Sequence, residues 1–407
     1  FWLKGCKQGA FPVFVATSGA CAVLAAAMPP RRARSDVGTA ASWFEDVFGF
    51  AEGSFPATKK SFALEGEPGC EVLVSRPSGT RFEVGPFECP SLSELRAKLA
   101  ANTAPKASRL SFKNVAGDVV QLHADRDNAG AVFQVASQFN CLEMISPDVR
   151  PEDGITNYAL DRTQGPACAM SCPAATVFRN YLVNGRGQAG GKQVDMLGDV
   201  ADKVENERYG YWEMRNGYCL PQDPGAMARL GERLTADRKL LRIVKERLRL
   251  GVHWSTAVAA RTHSVCQVFC SALPVSYAPS TPQEDWEPFA CAVLDAAYDA
   301  TLTAAAVLAS QRQARVTVYL TALGGGAFGN LADWIAAAIG KAIKAHQDHP
   351  LDVQLVHFRA VPGGGPFIDL ETEWKSKVAR KRPAASLGSG ATEENGRSTV
   401  KRRPAAS

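Results

Sequence analysis

Gly324-Gly325-Gly326 is not followed by Gly-Lys-Ser/Thr, and no GxGxxG fingerprint stands in its usual place near the start of a fold. The usual marks of a P-loop enzyme and of a dinucleotide-binding domain are therefore missing. Charge is also scarce: the net value is +5 over 407 residues. Much of it comes from Lys377, Arg380, Lys381, Arg382, Arg397, Lys401, Arg402 and Arg403, so the body is near neutral. No nucleic-acid groove is implied, and no nucleic-acid partner is expected. Eleven cysteines in so long a chain make no disulfide framework, and the odd number leaves at least one unpaired. Reduced, mostly buried thiols are expected, as in an intracellular protein. Cys168 and Cys172, like Cys266 and Cys270, stand four apart among small and apolar residues rather than at zinc-site spacing. No metal and no cofactor is expected. A thiol nucleophile at Cys168, with His253 or His263 as base, is the lesser idea.

What is present is globular composition, with 46% hydrophobic and 21% charged residues. The organising stretch is 315–340, RVTVYLTALGGGAFGNLADWIAAAIG. Val316, Val318, Leu320 and Leu323 read as a buried strand, the three glycines force a turn, and Leu331, Trp334, Ile335, Ala338 and Ile339 recur at helical spacing. Asn330 suits a helix cap. A glycine loop between a strand's carboxyl end and a helix start exposes backbone N–H groups, an arrangement suited to phosphate. Phe328 places one ring where it could cover a ligand. The alternative is a tight turn whose glycines serve packing alone.

Around this stretch the chain divides into four. Residues 1–41 read as a leader or disordered segment: the chain begins at Phe1, as a fragment or processed form would, and an apolar run at 11–28 precedes basic sequence. That run is rich in Ala, Gly, Ser and Thr, and no membrane partner is expected. Residues 42–125 suit a small α+β module, with 113–122 belonging to it or to an edge of the main body. Residues 131–372 alternate strands and helices, including a strand at 132–139 and one long helix at 225–250 with a basic outer face. Alternation of this kind argues a three-layer α/β domain with a largely parallel sheet. Residues 375–407 read as a disordered basic tail in which RKRPAAS is nearly repeated as KRRPAAS. Localisation stays open, with leader and tail leaving organellar or nuclear targeting as options.

The strand, the ALGGGAFGN loop, the amphipathic helix and LDVQLVHF at 351–358 resemble the last phosphate-loop unit of the macrodomain fold, including its poly(ADP-ribose) glycohydrolase branch. A strand ending at Asn140, and the turn 163–169 entering a helix, are similar to that fold's first loop. The resemblance implies a macrodomain-like mixed sheet flanked by helices, with an ADP-ribose pocket at the strands' carboxyl ends. Gly324, Gly325, Gly326, Ala327, Phe328, Gly329 and Asn330 would wrap the diphosphate and ribose. Asn140 would bond the distal ribose, and Thr163, Gln164 and Gly165 would face the phosphates from the other side. The first loop here is TQGPACA, with no paired glutamates after it, so hydrolysis is left open. Glu143, Asp153 and Asp161 are the nearest carboxylates by sequence, and any of them serves as acid or base if burial raises its pKa. The implied partner is ADP-ribose or an ADP-ribosylated protein. An enzyme of another nucleotide or phosphorylated metabolite, and a non-catalytic interaction protein, are the alternatives.

Overall fold

The computed structural model describes residues 42–67, 71–102 and 109–380. The leader at 1–41 and the basic repeats from 381 onward lie outside them. Twelve strands are described: β1 Phe62–Glu65, β2 Val72–Ser75, β3 Arg81–Glu83, β4 Phe87–Glu88, β5 Ser111–Ala116, β6 Val132–Ala136, β7 Trp212–Arg215, β8 Tyr218–Pro221, β9 Gly251–Ala257, β10 Ser264–Cys270, β11 Val316–Leu320 and β12 Leu351–His357. Seven of them form one sheet in the order β4-β9-β10-β6-β11-β12-β5. From β10 to β5 all neighbours run parallel, while β9 runs antiparallel to both β10 and β4.

Central strands covered on both faces read as apolar runs, and VTVYL in β11 and VFQVA in β6 do so. Val316, Val318 and Leu320 pack with Leu294 and Tyr298 of the helix Gln283–Arg312 and with Ile335 and Ile339 of the helix Ala332–Ala345. Phe133 and Tyr319 belong to a second cluster with Cys172 and Ala175, their rings stacked 4.8 Å apart. Helices therefore cover both faces, and the expected three-layer α/β arrangement around a mixed sheet is present. The helix Gln283–Arg312 is long and apolar enough to cross a membrane, but it is buried within this core.

Four expectations are corrected. The stretch 42–125 does not close on itself, because β4 and β5 are the two edge strands of the large sheet. Its aromatic cluster of Phe44, Phe48 and Phe62 is completed by Leu142, Ile155 and Tyr181 from the main body, as so small a unit has too little core of its own. The long helix at 225–250 is two, Ala226–Ala236 and Arg238–Arg247. Asp237 breaks it, its carboxylate capping the second helix by accepting from the Lys239 and Leu240 N–H groups, both at 2.9 Å. Asn330 is not the cap of the helix Ala332–Ala345, since Leu331 holds that position. The tail expected from 375 begins inside the helix Pro366–Arg380.

Candidate functional site

The turn after β11 is held mostly from within. Tyr298 donates to the Thr321 carbonyl at 2.7 Å and accepts from the Leu323 N–H at 2.9 Å, fixing where the chain leaves the strand. Gly324 sits at φ +73°, where a Cβ would lie 2.4 Å from that of Ala272, so glycine is required both for the turn and for the close approach. Asn330 donates through Nδ2 to the Leu273 carbonyl at 2.8 Å, and its N–H donates to the Gly324 carbonyl at 2.9 Å, closing the loop. The Gly325 N–H is spent on the Ala322 carbonyl at 3.0 Å. The next three amides, of Gly326, Ala327 and Phe328, have no acceptor among the described residues.

These three residues line a cleft of about 270 Å³ together with Gly324, Thr163, Gln164, Asp161 and Glu143. The cleft lies at the carboxyl ends of β6 and β11, where open parallel sheets place ligands. Its opposite wall begins with the helix Gln164–Ser171. A Cβ on Gly165 would lie 1.9 Å from the Ala136 carbonyl oxygen, so only glycine lets the helix start rest directly on the end of β6. The Gln164 carboxamide ties the two together, accepting from the Ala136 N–H at 2.9 Å and donating to the Gln134 carbonyl at 2.7 Å. Asp161 accepts from the Thr163 N–H at 2.8 Å.

Glu143 forms the floor and is 2% exposed. It follows a tight turn in which the Gln138 N–H donates to the Leu142 carbonyl at 2.8 Å and the Gln138 Oε1 accepts from the Met144 N–H at 2.8 Å. Arg179 reaches both carboxylate oxygens at 3.3 Å. Burial raises the Glu143 carboxyl to about 7, against the pull of Arg179 and of the Tyr158 hydroxyl in the other direction. At one end of the cleft the rings of Tyr218, Tyr277 and Phe328 pack 5.2–5.5 Å apart, and the Tyr218 hydroxyl donates to the Met144 carbonyl.

Of the residues singled out from sequence, Gly324, Gly326, Ala327, Phe328, Thr163, Gln164, Glu143 and Asp161 meet at this cleft. Gly325, Gly329 and Asn330 build the loop without lining it, and Gly165 supports the other wall from behind. Asn140 is fully buried in a chain of carboxamides behind the wall: it donates to Gln193 at 2.8 Å, and Gln193 donates to Asn216 at 2.9 Å. Asp153 lies exposed, accepting from the Arg150 N–H at 2.8 Å, and does not line the cleft.

The thiol idea finds no support. Burial pushes Cys168 well above its ordinary value, away from the thiolate, and His253 is enclosed by Phe87, Phe178 and Phe269. Among the described residues no three His, Cys, Asp or Glu side chains gather as a metal site. Sequence reading missed Arg179, Tyr158, Tyr218 and Tyr277. Arg179 did leave a signal, as a lone cation inside the apolar run PAATVFRNYLV that demands a buried carboxylate partner.

No family model and no curated protein matches the chain. Its layout is similar to that of solved poly(ADP-ribose) glycohydrolase structures. One, from Thermomonospora curvata, is 12% identical, with 82% of this chain and 97% of that chain covered, at a TM-score of 0.38. Another, from Deinococcus radiodurans in complex with ADP-ribose, is 9% identical, with 72% and 95% covered, also at 0.38. A third, from Thermomonospora curvata and bound to the inhibitor ADP-HPD, is 11% identical with a TM-score of 0.36, covering 82% and 97%. A likeness of this size assigns no residue a role.

Proposed function

We propose that the cleft binds ADP-ribose, free or attached to protein, and that hydrolysis, where it follows, uses Glu143 as general acid. The observation that carries this reading is the run of three unpartnered amides at Gly326, Ala327 and Phe328 in the same cleft as a buried carboxyl. Consecutive free N–H groups suit a diphosphate. No Lys or Arg lines the cleft, while Glu143 and Asp161 do. Such a lining favours a ligand with two negative charges over one with four, hence ADP-ribose over ATP.

A carboxyl titrating near 7 is half protonated at neutral pH, as a general acid requires. In the hydrolytic step the bond between the anomeric carbon and the departing oxygen breaks. The Glu143 proton goes to that oxygen, and water adds at the carbon and returns a proton. Thr163, Gln164 and Asp161 lie across the cleft from the glycine loop and would border the phosphates and ribose.

Isothermal titration of the full chain with ADP-ribose, ATP and NAD tests the reading. ADP-ribose binds in preference, and binding is lost in Gly326→Glu, where nothing lies within 4 Å of the added Cβ and the fold is undisturbed. Absence of binding, or preference for ATP or NAD, overturns it.

A further inference from the structure

The Arg179 and Glu143 side chains are both 0% exposed. Arg179 belongs to a π-helical turn, Phe178–Leu182, a rare form found often at functional sites. From it the guanidinium donates through Nε to the Cys141 carbonyl at 2.8 Å and lies 3.7 Å over the Phe269 ring centre. Cys141 is itself fully buried at φ 60°, a conformation a side-chain-bearing residue keeps only where its surroundings impose it. Two uncommon backbone forms therefore converge on one ion pair. A buried pair seldom adds stability over apolar packing of the same volume, so its contribution here is geometry.

We propose that Arg179 is a positioning residue of the cleft, its guanidinium holding the Glu143 carboxyl in one orientation at the floor, ready to pass a proton to a departing group. The identity of that group rests on the ADP-ribose reading, while the orientation does not. Four titratable groups face Glu143. Arg179 comes from the π-helical turn, and Tyr158, whose oxygen accepts from the Glu143 N–H at 2.9 Å, from the 3₁₀ turn Thr156–Leu160. Cys141 comes from the turn after β6, and Cys168 from the helix Gln164–Ser171. Burial pushes Tyr158 and both thiols well above their ordinary values, so these three stay neutral and Arg179 brings the charge.

Two readouts on the full chain test this. The first is the infrared stretch of the protonated Glu143 carboxyl, assigned by its loss in Glu143→Gln and titrated without any ligand. Arg179→Gln moves its midpoint up by about one pH unit or more, a tenfold change in proton affinity. Arg179→Lys keeps the charge but loses the planar fork, so the midpoint returns toward wild type. The second readout is release of ADP-ribose from modified protein against pH. Arg179→Lys turns over about tenfold or more below wild type, as misplacement of a reacting group entails. An unmoved midpoint in folded Arg179→Gln, or wild-type turnover in Arg179→Lys, overturns the proposal. Should Arg179→Gln not fold, Arg179→Lys decides alone. Shifted midpoints with no ADP-ribose release from wild type would overturn the functional reading and leave Arg179's positioning role standing.

Discussion

On one wall of the cleft nearly every polar group already has a partner inside the protein. Glu143 meets Arg179, Gln164 bridges the Ala136 N–H and the Gln134 carbonyl, and Asp161 accepts from the Thr163 N–H. On the other wall, Gly326, Ala327 and Phe328 carry three amides with no partner among the described residues, and Gly326 has open space around it. The first wall is rigid and holds a proton, and the second is spare and holds vacant donors. A ligand gains most where donors are vacant, because it need not displace an existing bond. Substitutions on the two walls should therefore differ in kind: those on the first change folding, those on the second change binding.

The largest effect tests the first wall. Glu143→Ala leaves the Arg179 charge buried without its partner, and removal of one member of such a pair costs about 3–5 kcal/mol. Urea unfolding followed by circular dichroism reads this directly. A cost below about 1 kcal/mol would mean that water already solvates the pair and that the floor is not dry.

The next effect is a dependence on pH. Glu143 titrates near 7 in the fold against an ordinary 4.5. Between those values the folded protein holds a proton that the unfolded chain has released. Stability is therefore full below about 4.5 and falls as pH rises through 7, by roughly 3 kcal/mol at most. Unfolding midpoints measured from pH 4.5 to 7.5 should fall in wild type, and fall less in Glu143→Gln. Parallel curves would remove the carboxyl from the account.

Gly165→Ala separates backbone contact from side-chain chemistry on that same wall. The new Cβ would meet the Ala136 carbonyl oxygen at 1.9 Å, and relief of such an overlap costs about 1–3 kcal/mol. Because Gly165 also lies behind Glu143, with a Cβ–Cγ approach of 3.2 Å, the variant should displace the floor and weaken any binding there. Thermal unfolding and titration with ADP-ribose give both numbers.

The two walls also differ in how far the sequence reveals them. The glycine loop is local: a strand, a turn and a helix lie within 26 residues, and Val316, Val318 and Leu320 alternate as a buried strand must. Asn330 misled for the same reason, because its position suits a cap while its partner, Leu273, is 57 residues away. The Glu143 wall is assembled from distant pieces. Glu143 and Arg179 are 36 residues apart, and Glu52, which accepts from the Ile155 and Thr156 N–H groups and from the Tyr181 hydroxyl, lies 129 residues from Tyr181. No period in the chain reports such pairings. The break at Asp237 stayed hidden because Leu230, Leu234, Leu240 and Val244 continue an apolar face across it. The edge positions of β4 and β5 are long-range facts too, since β5 pairs with β12 some 240 residues later.

The smallest expected change in stability is the sharpest test of the comparison. Gly326→Ala adds a methyl group at a position with nothing within 4 Å, and Gly326 does not need a left-handed backbone. Folding should move by no more than about 0.5 kcal/mol, as for an ordinary surface change. If the Gly326 N–H borders a bound diphosphate, the methyl group stands in the ligand's approach, and affinity for ADP-ribose should fall about tenfold, equal to 1.4 kcal/mol. A stable variant with unchanged affinity would mean that phosphate approaches elsewhere. The second wall would then be a turn shaped for packing, with its vacant amides turned to solvent.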